Sequence, residues 1–115
     1  MDIRVASAAG KPGVNIVRIT GRLETATCAA AEPVILDALE KSADGVILHM
    51  ASLDFISSAG LRIMIMLIKK ASADGKKIAL VGVQPAIYKI FKVSAMDKFF
   101  RFFEDDGEAV RQLWP

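Results

Sequence analysis

Residues 52–70, Ser-Leu-Asp-Phe-Ile-Ser-Ser-Ala-Gly-Leu-Arg-Ile-Met-Ile-Met-Leu-Ile-Lys-Lys, constrain this chain more than any other stretch. They pass from a buried strand through a short Ser-rich turn into a long apolar helix, so strand and helix must pack in one unit. The turn puts two hydroxyls at a helix N-terminus, where free backbone N–H groups and the positive end of the dipole receive a phosphate well. Ser57 is placed to cap the helix, Ser58 to be its first residue, and Gly60 to let another backbone come close.

The rest of the chain supplies partners for that unit. Ile3, Val5 and Ser7 alternate with Asp2, Arg4 and Ala6, and residues 14–19 alternate similarly. With Gly10-Lys11-Pro12-Gly13 between them they read as a β-hairpin with a four-residue turn region, its second strand ended by Gly21. Thr25 or Thr27 can cap a helix reaching about Lys41, and Pro33 predicts either a kink near Ala29 or a helix that starts properly only at Pro33. Residues 46–50 form an apolar run of strand length, as expected for a parallel strand covered on both faces. His49 in that run reads as a hydrogen-bonded core residue.

In the helix over residues 58–74, Leu61, Met64, Ile65 and Ile68 form the stripe expected to face the sheet, with Ile63, Met66 and Leu67 partly outside it. An exposed Met66 beside Ser58 would suit a docking surface. Residues 76–81 read as a strand, Pro85 as the first residue of a short helix carrying Ile87, Ile90 and Phe91, and residues 99–103 as a short strand. A last helix over residues 106–113 closes the core with Val110, Leu113 and Trp114. The sum is an α/β domain over residues 1–115, with a mostly parallel, mixed sheet of four to five strands and about four helices packed against it. Right-handed crossovers would bring the ends of the parallel strands and the Ser57-Ser58 turn to one edge.

Composition narrows the chemistry. The longest uninterrupted apolar run, residues 63–68, is six residues, far short of a membrane span. The start of the chain lacks a signal peptide's basic head and apolar centre, and a single cysteine excludes an intramolecular disulfide, so a cytoplasmic protein is expected. Fifteen basic and 13 acidic residues are spread without the basic block of a nucleic-acid binder. One cysteine and one histidine do not make a four-ligand zinc site, and nothing calls for a cofactor. Ile56-Ser57-Ser58-Ala59-Gly60 has isoleucine where a nucleophile elbow needs glycine, no Gly-rich phosphate loop is present, and His49 is the single candidate base for a triad. An enzyme is not expected.

Residues 53–62, Leu-Asp-Phe-Ile-Ser-Ser-Ala-Gly-Leu-Arg, followed by Gly75-Lys76-Lys77-Ile78-Ala79-Leu80-Val81-Gly82-Val83-Gln84-Pro85, resemble the STAS domain of the bacterial anti-sigma factor antagonists. Ile19-Thr20-Gly21-Arg22-Leu23-Glu24 is similar to that family's Gly-x-Leu-Asp segment, and residues 94–100 are similar to its Thr/Ser-Gly-Leu-Asp-Lys-Leu-Phe. The chain departs from the family's Asp-Ser-Ser-Gly or Asp-Ser-Thr-Gly turn, with Ser57 in place of the aspartate and Ala59 in place of the second hydroxyl.

The resemblance implies a protein whose unphosphorylated form binds a serine kinase that is also an anti-sigma factor, and which a PP2C-type phosphatase resets. Ser58 takes the position of the phosphorylated serine, with Ser57 the alternative. The implied docking surface comprises Glu24, Thr25, Ser57, Ser58, Ala59, Gly60, Arg62 and Met66, on a monomer or weak dimer without membrane insertion. The other reading is a non-phosphorylated STAS subunit of a transporter or lipid-transport complex.

Overall fold

The computed structural model describes residues 1–115. Its strands are β1 (Asp2–Ala8), β2 (Lys11–Leu23), β3 (Gly45–His49), β4 (Leu53–Ile56), β5 (Lys77–Val81) and β6 (Arg101–Phe103). The helices are α1 (Thr25–Lys41), α2 (Ser58–Asp74), α3 (Pro85–Val93) and α4 (Asp106–Leu113). The sheet runs β1-β2-β3-β5-β6, with β1 antiparallel and the rest parallel. β4 lies off this path, paired to the far end of β2 through Gly21 to Leu23.

Six strands form where the sequence pattern predicts four to five; β4, the strand at the head of residues 52–70, stands apart from β3 and pairs with β2. It is four residues long, with Asp54 exposed and Phe55 half-buried, so it carries too little apolar pattern to show which strand it pairs with. Its pairing also extends β2. Gly21 does not end that strand but takes a φ of 103° at a register shift, where β2 passes from β3 to β4. The hairpin turn is tighter than expected. Ala8 pairs with Lys11, so Lys11, Pro12 and Gly13 belong to β2 and only Ala9 and Gly10 make the turn.

Three further boundaries move for identifiable reasons. α1 runs uninterrupted through Pro33, which is exposed, as is Ala29, whose carbonyl loses its donor to the ring and can turn to water. Glu24, not Thr25 or Thr27, is the N-cap of α1. Thr27 works from inside the helix, its hydroxyl accepting the Glu24 N–H at 3.0 Å. The segment Met96–Phe99 is a 3₁₀ turn, which delays β6 to Arg101.

The sheet is covered on both faces. α1, α2 and α3 enclose the larger core, centred on Leu23, Ile35, Leu48, Ile63, Met64, Leu67 and Phe91, while α4 and Trp114 cover Ile16, Ile47, Ala79 and Val81 on the other. Trp114 donates its indole N–H to the Asp44 carbonyl at 3.0 Å, giving its polar edge a partner where the ring is buried. Val110, Leu113 and Trp114 thus close a core, as expected, but the smaller one. His49 is half-buried at the end of β3 rather than deep in the core.

The buried face of α2 is rotated from the expected stripe. Gly60, Ile63, Met64, Leu67 and Ala71 are buried, Leu61 and Ile68 flank them, and Ile65 is 42% exposed. Each large apolar side chain buried on this face contributes about 1.5–3 kcal/mol of transfer free energy, so the helix is fixed chiefly by Ile63, Met64 and Leu67.

Candidate functional site

β2, β4 and α2 meet at the C-terminal edge of the parallel strands, the place expected for the turn. Ile56 ends β4, Ser58 begins α2, and Ser57 between them has the extended backbone of an N-cap. The Ser57 N–H donates to the Leu23 carbonyl at 2.9 Å, stitching the turn to the end of β2. Its hydroxyl accepts the Gly60 N–H at 3.4 Å, a long bond that uses this oxygen in the cap. Ser58 is exposed at the first helical position. The two hydroxyls that the sequence leaves as alternatives therefore stand in different environments.

Close approach at Gly60 is required by the packing. A Cβ there would lie 2.7 Å from Ile56 Cγ1, 3.0 Å from the Leu23 carbonyl oxygen and 3.1 Å from Leu23 Cγ. The first turn of α2 can rest against β2 and β4 because that atom is missing. Ala59 beside it is half-buried against the larger core.

Glu24 follows directly on the residue that anchors Ser57, so it stands next to the turn. It is half-buried, and its carboxylate accepts from Arg22 Nε at 3.1 Å. The Arg22 guanidinium lies 4.4 Å above the Phe55 ring, whose residue is the β4 partner of Arg22 across the sheet. Sequence reasoning places the docking surface around residues 21–25, which includes Arg22, but misses Phe55 and its contact with that arginine. The two residues become neighbours only once β4 is known to pair with β2, and a lone arginine two positions before a glutamate carries no such signal.

Arg62 and Met66 occupy the next turns of α2. Arg62 Nη2 donates to Glu32 Oε1 at 2.9 Å, tying α2 to α1, and its Nη1 lies 3.3 Å from Met66 Sδ. Met66 is half-buried rather than exposed, because the arginine lies across its sulfur. Thr25, the first residue of α1, is exposed. Beneath this pair of helices Cys28 is buried, and burial pushes its thiol pKa up. The nearby Arg62 opposes that rise, while Glu32 and Glu24 add to it. The cysteine is an inert core group, not a nucleophile.

This edge therefore carries an exposed hydroxyl at a helix N-terminus, with an arginine–glutamate pair on one side and an arginine–methionine surface on the other. It presents no arrangement of base and nucleophile. It does present a compact, mixed surface that a partner could cover and that one added charge would change.

The STAS domain family model matches residues 6–109. The anti-sigma F factor antagonist of Paenibacillus polymyxa is 24% identical over 102 residues, covering 88% of this chain and 87% of that protein. Among solved structures, an anti-sigma factor antagonist from Mycobacterium paratuberculosis superposes with a TM-score of 0.85 at 20% identity, covering 99% of this chain and 94% of that one. The Bacillus cell fate determinant SpoIIAA in its phosphorylated form superposes with a TM-score of 0.73 at 16% identity, covering 96% and 98%. No helix here is long and apolar enough to cross a membrane.

Proposed function

The chain belongs to the STAS domain family, and from that premise we propose that it is an anti-sigma factor antagonist working as a phosphorylation-controlled binding module, not an enzyme. Unphosphorylated at Ser58, it binds a serine kinase that doubles as an anti-sigma factor. Phosphorylated, it releases that kinase, and a PP2C-type phosphatase resets it. It acts in the cytoplasm as one domain over residues 1–115. Glu24, Thr25, the turn from Ser57 to Gly60, Arg62 and Met66 form the surface the kinase covers.

The observation that carries this reading is the division of labour between the two serines. Ser57 Oγ is engaged by the Gly60 N–H, whereas Ser58 is exposed on the first turn of α2. A phosphate on Ser58 would add a charge of about −1.5 to −2. The helix dipole favours a charge there by about 0.3–1 kcal/mol, so the free domain stays folded. In a complex the same charge must be desolvated, at a cost commonly of about 2 kcal/mol or more. A penalty near 3 kcal/mol lowers affinity roughly 10²-fold, enough for a switch.

The test compares Ser58→Ala and Ser58→Asp for binding to the kinase that the unmodified protein captures, with mass spectrometry of the kinase reaction on the unmodified chain. Phosphate on Ser58, retained binding by Ser58→Ala and lost binding by Ser58→Asp, with unchanged circular dichroism, is the expected result. Phosphate on Ser57 alone overturns the site assignment. Equal binding by both variants overturns the switch and leaves a non-phosphorylated subunit of a transporter or lipid-transport complex as the better account.

A further inference from the structure

The two edges of the sheet are unlike. β6 is three residues long, a length that leaves little for another strand to pair with. β1 is seven residues long, carries neither proline nor lysine, and its pairing with β2 is regular except at Ser7 and Ala8, its far end. An edge of that kind lacks most of the devices that keep strands from adding to it.

The side chains of β1, with Met1 just before it, also fall in a self-complementary order. Met1 and Val5 are each 44% exposed, and Ile3 between them is only half-buried. Side chains alternate along a strand, so Ile3 and Val5 share the α1 face with Met1, while Asp2 and Arg4 point to the other. Asp2 and Arg4 pair with each other at 2.9 Å, with 57% and 80% of their side-chain surfaces exposed. Beside Val5 lies an open pit of about 580 Å³, lined on the α1 side by Pro33, Val34, Asp37 and Lys41.

We propose that β1 is a self-association edge, on which a second copy of this chain adds its own β1 antiparallel about a twofold axis through Ile3. In that register Asp2 stands opposite the second copy's Arg4, and Arg4 opposite its Asp2. Met1 stands opposite Val5, twice, and the two Ile3 side chains meet at the axis. Each charge finds its opposite and each exposed apolar residue an apolar partner, which is the self-complementarity a twofold interface needs. Methionine, flexible and unbranched, suits the irregular pit beside Val5.

Other symmetric registers fail on the same residues. An axis through Arg4 sets the two guanidinium groups opposite each other, which is destabilising. An axis through Val5 puts Asp2 opposite Ala8 and Arg4 opposite Ala6, matching no charge. The paired segment is short, so the interface falls in the class below about 1,200 Å² and the dimer is weak.

Sedimentation velocity on the intact chain, from about 10 µM to 1 mM, spans the affinities expected of so small an interface. The unmodified chain should dimerise within that range, and Arg4→Glu should weaken dimerisation by about tenfold or more, since it sets glutamate opposite Asp2 twice. Combining Asp2→Arg with Arg4→Asp should restore the dimer, because the charges are exchanged but remain opposite. Both positions are exposed, so the variants should keep the parent's circular dichroism and melting temperature. A chain that stays monomeric throughout, a dimer indifferent to Arg4→Glu, or a charge exchange that fails to restore it would each overturn the proposal.

Discussion

Replacing Gly60 by alanine tests how the switch turn is held. The new Cβ would meet Ile56 Cγ1 at 2.7 Å and the Leu23 carbonyl oxygen at 3.0 Å. Comfortable carbon–carbon separations are about 3.5–4.0 Å, so something must move by roughly 0.5–1 Å. Ile56 and Leu23 are both buried and cannot swing into solvent, which leaves α2 to retreat from the end of β2. Overpacking of this kind costs about 1–3 kcal/mol, and alanine returns up to about 1 kcal/mol through its better helix propensity. The expected net loss is about 1 kcal/mol, or a fall of roughly 3–6 °C in Tm for a domain of this length. Retreat of the helix also stretches the 2.9 Å bond from the Ser57 N–H to the Leu23 carbonyl. Urea unfolding followed by the fluorescence of Trp114 gives the stability, and hydrogen exchange at the Ser57 amide gives the local effect. A Gly60→Ala protein as stable as the parent, with Ser57 equally protected, would refute the claim that this glycine is required by close packing.

Three further outcomes follow from the same structure. Ile63→Ala should cost about 2–5 kcal/mol by leaving a cavity, whereas Ile65→Ala, at a 42% exposed position, should stay within about 0.5 kcal/mol; equal losses in urea melts would mean that the buried face of α2 is misassigned. Glu24→Lys removes the Arg22 contact and the N-cap of α1 and sets a positive charge at that helix's N-terminus, so it should cost about 0.5–2 kcal/mol while the domain still folds, and should weaken kinase capture in titration calorimetry; unaltered affinity would take Glu24 out of the docking surface. Cys28 should resist a thiol reagent in the native protein at pH 8 and react fully once unfolded. Because burial raises its folded pKa above the ordinary thiol value, its contribution to stability is complete below the unfolded pKa and is lost as pH rises through the folded one. Stability of the parent should therefore fall more steeply above pH 9 than that of Cys28→Ala, and parallel profiles would contradict this.

Those tests fall on residues of differing legibility in the chain. Ser57 could be read as an N-cap because a short side chain with an acceptor oxygen reaches the free N–H groups, and it does so at 3.4 Å to Gly60. Glu24 could not, since a longer side chain is an uncommon cap and two threonines nearby offered better ones. β3 and β5 are plain as apolar runs, while the strand before the turn hides its partner, because four residues with Asp54 exposed carry too little pattern to choose β2. The rotation of α2 has a sharper cause. Six consecutive apolar residues, 63–68, point in every direction around the helix, so hydrophobicity alone cannot choose its buried face. What chooses it are the small residues Gly60 and Ala71, which let the helix approach the sheet along the line through Ile63, Met64 and Leu67. That line sets the azimuth of Ser58. With Gly60 turned inward against Leu23, the first residue of the helix is left facing solvent, next to the Arg22–Glu24 pair that only the β2–β4 pairing brings there. The placement of the hydroxyl thus depends on a glycine that the sequence marks and on a strand pairing that it conceals.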